Sequence, residues 1–244
     1  SYISGITATY VGQEIGQFYG WVYEGIARTQ SDLDNHATQQ GANVGDCLYK
    51  DISGPNGEPD GVIDAYDQTV LGSGLAKMNF GLSAHMEYKG FDLSISTYGA
   101  LNYHVTDDIY NSLNSCYGWS NKDVAMADAN RFSEDGSTYL SNVPRTYVDN
   151  KATLAWNDLF SSRKIQNAAY WKIANVELGY NFPDRWFKGL VTGVRAYISA
   201  QNLYTFTGYK GYNVDYAGGT FTPGYNFCSF PSARSFMAGL HFTF

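Results

Sequence analysis

Apolar and polar residues alternate with a period of two along several stretches of the chain. Between Asn79 and Tyr88, Phe80, Leu82, Ala84, Met86 and Tyr88 fall on one side of an extended strand, and Gly81, Ser83, His85 and Glu87 on the other. Lys89-Gly90 predicts a tight turn. Phe91, Leu93 and Ile95 then alternate with Asp92, Ser94 and Ser96 in a return strand that runs to about His104. Trp171 to Phe182 reads as a strand whose apolar phase changes from Trp171 and Ile173 to Val176, Leu178 and Tyr180; a bulge near Ala174-Asn175 accounts for the change. In the next strand, over about 191–206, Val194, Ala196, Ile198 and Ala200 alternate with Arg195, Tyr197, Ser199 and Gln201. The closing strand, 234–244, places Phe236, Ala238, Leu240, Phe242 and Phe244 opposite Ser235, Met237, Gly239, His241 and Thr243. Two further strands are predicted near the N-terminus, over 3–12 and 17–27, joined by a turn at Gly12–Gly16. Phe18, Tyr19, Trp21 and Tyr23 form an aromatic band in the second, of the kind that suits a membrane interface.

The connections alternate in length: short at 12–16, 89–90 and 183–190, long at 28–78, 106–167 and 207–233. In an up-and-down sheet this puts every long loop on one side, as in outer-membrane barrels. Ser31 and Asp34 suggest a capped helix over about 32–39, and two short helices are predicted at 107–114 and 122–131. The fold class read from this pattern is all-β, an antiparallel transmembrane β-barrel segment with long extracellular loops. About seven strands are too few to close a wide pore, so the rest of the wall is expected from elsewhere. Ser1-Tyr2-Ile3 begins inside an alternating stretch, which fits a piece of a larger protein. An aromatic strand edge at the C-terminus is an aggregation hazard for a soluble domain but not for a closed barrel.

Composition narrows the picture. Tyr (21) and Gly (26) dominate a chain of 244 residues in which only 16% are charged, so helices are not its main element. A net charge of −7 argues against a nucleic-acid partner. No run of eighteen apolar residues provides a transmembrane helix, whereas a barrel needs only alternate residues to face lipid. Cys47, Cys116 and Cys228 lie in irregular segments and none is in a CxxC pair; one disulfide between loops is allowed. His36, His85, His104 and His241 are scattered, and no HExxH, GxSxG or phosphate-binding loop occurs. Glu87 and Asp92 flank the 89–90 turn as surface charge rather than a catalytic pair, so no enzyme is expected.

Several blocks, in order, resemble the C-terminal part of SusC/RagA-type TonB-dependent transporters: GQEIGQFYGWVYEGIA (12–27), DGVIDAYDQTVL (60–71), NFGLSAHMEYKGFDL (79–93), IANVELGYNFP (173–183) and VRAYISAQNLYTFT (194–207). Gly239, Phe242 and Phe244 also resemble the C-terminal signal that outer-membrane barrels present to their assembly machinery, although Met237 stands where that signal usually opens with a polar residue. The resemblance covers essentially residues 1–244. It implies part of a 22-stranded outer-membrane barrel, a plug and the remaining wall supplied elsewhere, energy from the TonB complex, and a SusD-like surface lipoprotein as partner. It implies import of oligosaccharides, or of peptides in some members. The loop aromatics Tyr117, Trp119, Tyr209, Tyr212 and Tyr225 are then the candidates for stacking on substrate.

The acidic loop 51–67 suggests calcium, which takes oxygens from closely spaced carboxylates, amides and a carbonyl around a glycine bend. Counting from Asn56 as the first ligand, Glu58, Asp60, the Val62 carbonyl, Asp64 and Asp67 fall at ligand positions, with Gly61 at the bend; Asp51 is the alternative first ligand. Pro59 and an Asp at the last position depart from the EF-hand. The plain alternative is a turn whose Asp side chains bond to backbone amides. The competing view of the whole chain is a secreted, calcium-stabilised β-sandwich that binds carbohydrate. There, Phe80, Leu82, Phe91, Leu93, Val194 and Ile198 would be buried against a second sheet.

Overall fold

The computed structural model describes residues 2–115, 121–126, 132–146, 156–187, 191–215 and 218–244. The chain divides into two compact units. The wall unit comprises Ala76–Tyr103, Asn167–Asp215 and Ser229–Phe244; the loop unit comprises Ser1–Leu75, His104–Gln166 and Tyr216–Cys228.

The wall unit is one five-stranded antiparallel sheet. Its strands are β1 (Met78–Tyr88), β2 (Phe91–Leu101), β3 (Tyr170–Phe182), β4 (Gly193–Thr207) and β5 (Ser235–Thr243), each hydrogen-bonded to the next. Lys89 (φ 49°) and Gly90 (φ 88°) turn β1 into β2 with the left-handed pair of a two-residue hairpin. Register sets the apolar residues side by side: Met86 opposes Leu93, Leu93 opposes Leu178, Leu178 opposes Ile198 and Ile198 opposes Ala238. One face of the sheet is thus continuously apolar, and it is open: Leu82 is 64% exposed, Ile198 59% and Phe236 71%.

The bulge falls where the change of apolar phase places it. β3 shifts register against both neighbours between Ile173 and Asn175. Against β2 the extra residue is Ala174; against β4 it lies on β4, where Asn202 and Leu203 stand opposite Ala174. Asn202 takes φ 51° and its amide donates to the Ala233 carbonyl at 2.9 Å.

The other face is polar and internally bonded. Arg195 forks onto Asp92 and reaches Glu177 at 2.7 Å, while Asn181 donates to Asp92 at 3.2 Å. Glycines make room for large side chains across the strand. The Tyr197 ring lies over its partner Gly239, within 2.7 Å of where a Cβ would stand. On the apolar face the Phe80 ring lies in the same way over its partner Gly99.

The loop unit takes in residues that the alternating pattern assigned to the wall. The expected strand 3–12 is a small hairpin, Tyr2–Ser4 and Thr7–Thr9, turning at Gly5 (φ 59°). The expected strand 17–27 breaks after Gln17–Gly20, because Trp21 is drawn aside: its backbone N–H donates to Phe160 O at 3.2 Å and its indole to Asp64 O at 3.0 Å. These short strands pair with one another and with Thr69–Gly72 in a separate sheet, so the wall has five strands where about seven were expected. Cys47, Tyr49 and Ile63 form a small core with Trp21, Tyr23, Trp156 and Leu159 against it. Buried Asp46 accepts from Arg145 at 3.1 and 3.0 Å and from Asn157 at 2.8 Å. Cys228 is exposed, and Cys116 lies outside the described residues.

The helix expected over 32–39 runs instead from Gln30 to Asp34, capped by Thr29 with Asp32 rather than by Ser31 with Asp34. Asp32 accepts backbone N–H groups of Thr29 and Arg28, which hold its carboxyl below the usual carboxylate range. The helix expected at 107–114 is present as Asp108–Leu113, capped by Asp107. Of the one expected at 122–131 a single turn, Val124–Met126, is described.

Candidate functional site

Past the loop-bearing end of β4 the chain turns back on itself. The Thr207 hydroxyl donates to Ala169 O at 2.9 Å and accepts from Tyr209 N at 3.1 Å, which starts the turn. Three side chains of the wall then fasten residues 208–215. Tyr98 donates to the Asp215 carboxylate at 2.9 Å, Lys172 reaches the same oxygen at 2.9 Å, and the Tyr103 hydroxyl donates to Val214 O. Burial pushes the Asp215 carboxyl up, but the hydrogen bonds from Lys172 and Tyr98 and the Lys172 charge outweigh it, and the net shift is downward. Burial also holds the Tyr103 hydroxyl well above its usual range.

A cavity of about 250 Å³ is left between this segment and the wall. Asn202, Thr205, Tyr209, Tyr212, Asn213 and Arg234 are among its lining residues. Tyr209 is packed in place, at 8% exposure, whereas the Tyr212 ring stands 61% exposed. Asn213 is steadied by the Ser232 hydroxyl at 3.5 Å. Arg234 is exposed, and among the described residues no acid pairs with it.

The structure therefore brings Tyr209 and Tyr212 together. Tyr225 belongs to the loop unit, where Tyr225–Asn226 pairs with Thr106–Asp107 and its hydroxyl reaches Asp108 at 3.5 Å. Tyr117 and Trp119 lie outside the described residues. Lys172, Asn202, Asn213 and Arg234 were not anticipated. The one signal for Lys172 was a cation on the polar side of a strand whose other charged group there is Glu177.

In the acidic loop the carboxylates are engaged by backbone amides. Buried Asp67 accepts from Ile52, Ser53 and Asp64 at 2.7, 3.1 and 2.8 Å. Asp51 accepts from Gly61, Asp60 from Val62, and Asp64 from Tyr66, at 2.7, 3.0 and 2.7 Å. Asn56 and Glu58 are exposed, as is Val62. Among the described residues no three His, Cys, Asp or Glu side chains converge as a metal centre would.

No protein-family model matches the chain. It is 30% identical over 243 residues, 96% of its length, to TonB-dependent receptor P3 of Formosa agariphila, and 28% identical over 211 residues to TonB-dependent receptor SusC of Bacteroides thetaiotaomicron. It spans 22% and 19% of those receptors. The solved RagAB peptide importer matches its fold in the open-open and closed-closed states with TM-scores of 0.67 and 0.68, at 20% and 21% identity. Each match covers 93% of this chain and 22% or 23% of the other. Sequence and fold agree: along nearly its whole length the chain is similar to a barrel segment of the SusC/RagA-type TonB-dependent receptors that its residues resemble.

Proposed function

We propose that this chain forms an arc of an outer-membrane barrel that imports nutrients, chiefly oligosaccharides, using energy from the TonB complex and working with a SusD-like surface lipoprotein. The observation that carries the reading is the layout of the open apolar face. At the turn end, Phe91, Tyr180, Phe182 and Trp186 make a run of ring contacts at 4.6, 4.9 and 5.8 Å. At the loop end, Trp171, Phe206 and Tyr204 do the same at 5.4 and 4.7 Å. Leu82, Leu93, Val176, Leu178, Ile198 and Leu240 lie between. From Trp171 to Tyr180, allowing for the bulge and a tilt of about 40°, the band is roughly 20 Å tall, close to the ~25 Å apolar belt of such barrels.

The sandwich reading loses its support on the same face. Leu82, Phe91 and Ile198 are exposed, and Phe80 and Leu93 are half-exposed. Val194 is buried, flanked by its strand partners Phe182 and Phe242. Carbonate extraction of membranes provides the test: the protein is expected to stay in the pellet until detergent is added, and release by carbonate alone overturns the reading.

Aromatic, amide and hydroxyl groups around the 208–215 cavity favour saccharide over peptide as cargo. Calcium in the 51–67 loop is a separate proposal, supported only by the close spacing of Asp51, Asp60, Asp64 and Asp67 along the sequence, since backbone amides already bond their carboxylates. A thermal midpoint that falls on chelation supports it, and an unchanged midpoint overturns it.

A further inference from the structure

We infer that the cavity beneath residues 208–215 holds one sugar unit bearing an anionic group, a carboxylate or a sulfate. This rests on the importer reading and narrows its cargo. At about 250 Å³ the space is below that of pockets for drug-sized ligands, so it takes a single ring of a longer chain. Its lining contains no carboxylate. Lys172 is neutralised by Asp215, but Arg234 is not neutralised by any described residue. The Asn213 amide N–H groups and the Tyr212 hydroxyl likewise make no hydrogen bond within the described residues. A full positive charge, two amide N–H groups and a phenol hydroxyl thus stand at this cavity with no described partner. The complement is a ligand rich in acceptors and negative, and a guanidinium binds planar or tetrahedral oxyanions by two parallel hydrogen bonds. The exposed Tyr212 ring offers a flat face to a pyranose, and buried Tyr209 lines the same cavity.

The test is calorimetric binding to the complete transporter in detergent. Four probes of equal length are compared: tetragalacturonate, a sulfated galactose tetrasaccharide, neutral galactotetraose and tetraglutamate. At least one anionic saccharide is expected to bind about tenfold tighter than the neutral one; which of them does so tells carboxylate from sulfate. Arg234→Gln should erase that preference, Arg234→Lys should keep part of it, and Tyr212→Ala should weaken all saccharides together. Equal affinity for charged and neutral sugars, an unchanged preference in Arg234→Gln, or tetraglutamate binding as tightly as the sugars overturns the proposal. An unchanged thermal midpoint in each variant separates lost contacts from lost fold. Failure here with the protein still held in the carbonate-washed membrane leaves the importer reading standing, whereas release by carbonate overturns that reading whatever binds.

Discussion

At the scale of single residues, glycine and aspartate carry more than their size suggests. Gly239 leaves the space that the Tyr197 ring fills. Gly239→Val is expected to cost about 1–3 kcal/mol by forcing that ring off its rotamer. The loss should shrink in a Gly239→Val, Tyr197→Ala double variant, measured by urea unfolding in detergent; additive losses would show that the two do not interact. Asp67→Ala removes a buried acceptor of three backbone N–H groups and should destabilise the loop unit by about 3 kcal/mol, read from its own denaturation step. Asp215 gives a pH signature. Its carboxyl is held lower in the folded loop than in the unfolded chain, where Asp ionises at about 3.9. Its contribution is complete above that value and is lost as pH falls through the folded value. Acid-tolerant protease should therefore begin to cut within 208–215 below about pH 4, and Asp215→Asn should allow such cutting at neutral pH. Equal resistance in the two proteins would refute the fastening role.

At the scale of elements, β3 shows what a period-two pattern can and cannot tell. The slip from Trp171 and Ile173 to Val176 and Leu178 placed the bulge near Ala174-Asn175, where it is found, because a strand that keeps one face in lipid has to absorb an extra residue somewhere. Deleting Ala174 should drive Lys172 onto the apolar side and abolish assembly, scored by loss of heat-modifiable mobility on gels; a protein that still assembles would argue against the bulge as the register pin. The 89–90 hairpin and the 193–207 and 235–243 strands were legible for the same local reason. Residues 2–27, whose phase is less clear, were also read as strands yet pair inside the loop unit. Alternation reports that one side of a strand is covered and does not say by what; the Trp21 contacts to Phe160 and Asp64 that decide the matter come from far along the chain. The helix cap at Thr29 was misplaced by two residues for a smaller reason: Thr29-Asp32 and Ser31-Asp34 carry the same signature. In the site, Tyr209 and Tyr212 were visible as loop aromatics. Lys172 and Asp215 were not, since their meeting depends on how the segment after β4 returns.

At the scale of the whole molecule, the chain combines a wall that is apolar on one side with a loop unit that has its own buried core. Among the described residues the long loops are therefore packed structure, knit by groups such as Asp46, Arg145 and Asn157. Removing Phe244 from the terminal Gly239, Phe242, Phe244 set is expected to lower the amount of protein reaching the outer membrane several-fold without lowering its synthesis. Normal membrane levels would dissociate these residues from assembly. The fastening of residues 208–215 has one more consequence. A solute reaching that cavity meets surfaces already in position, so capture demands little reordering of the chain. Less of the contact energy is then lost to ordering, and more of it remains as affinity. On the importer reading, that makes the segment a preformed contact surface rather than a flap that must first fold over what it holds.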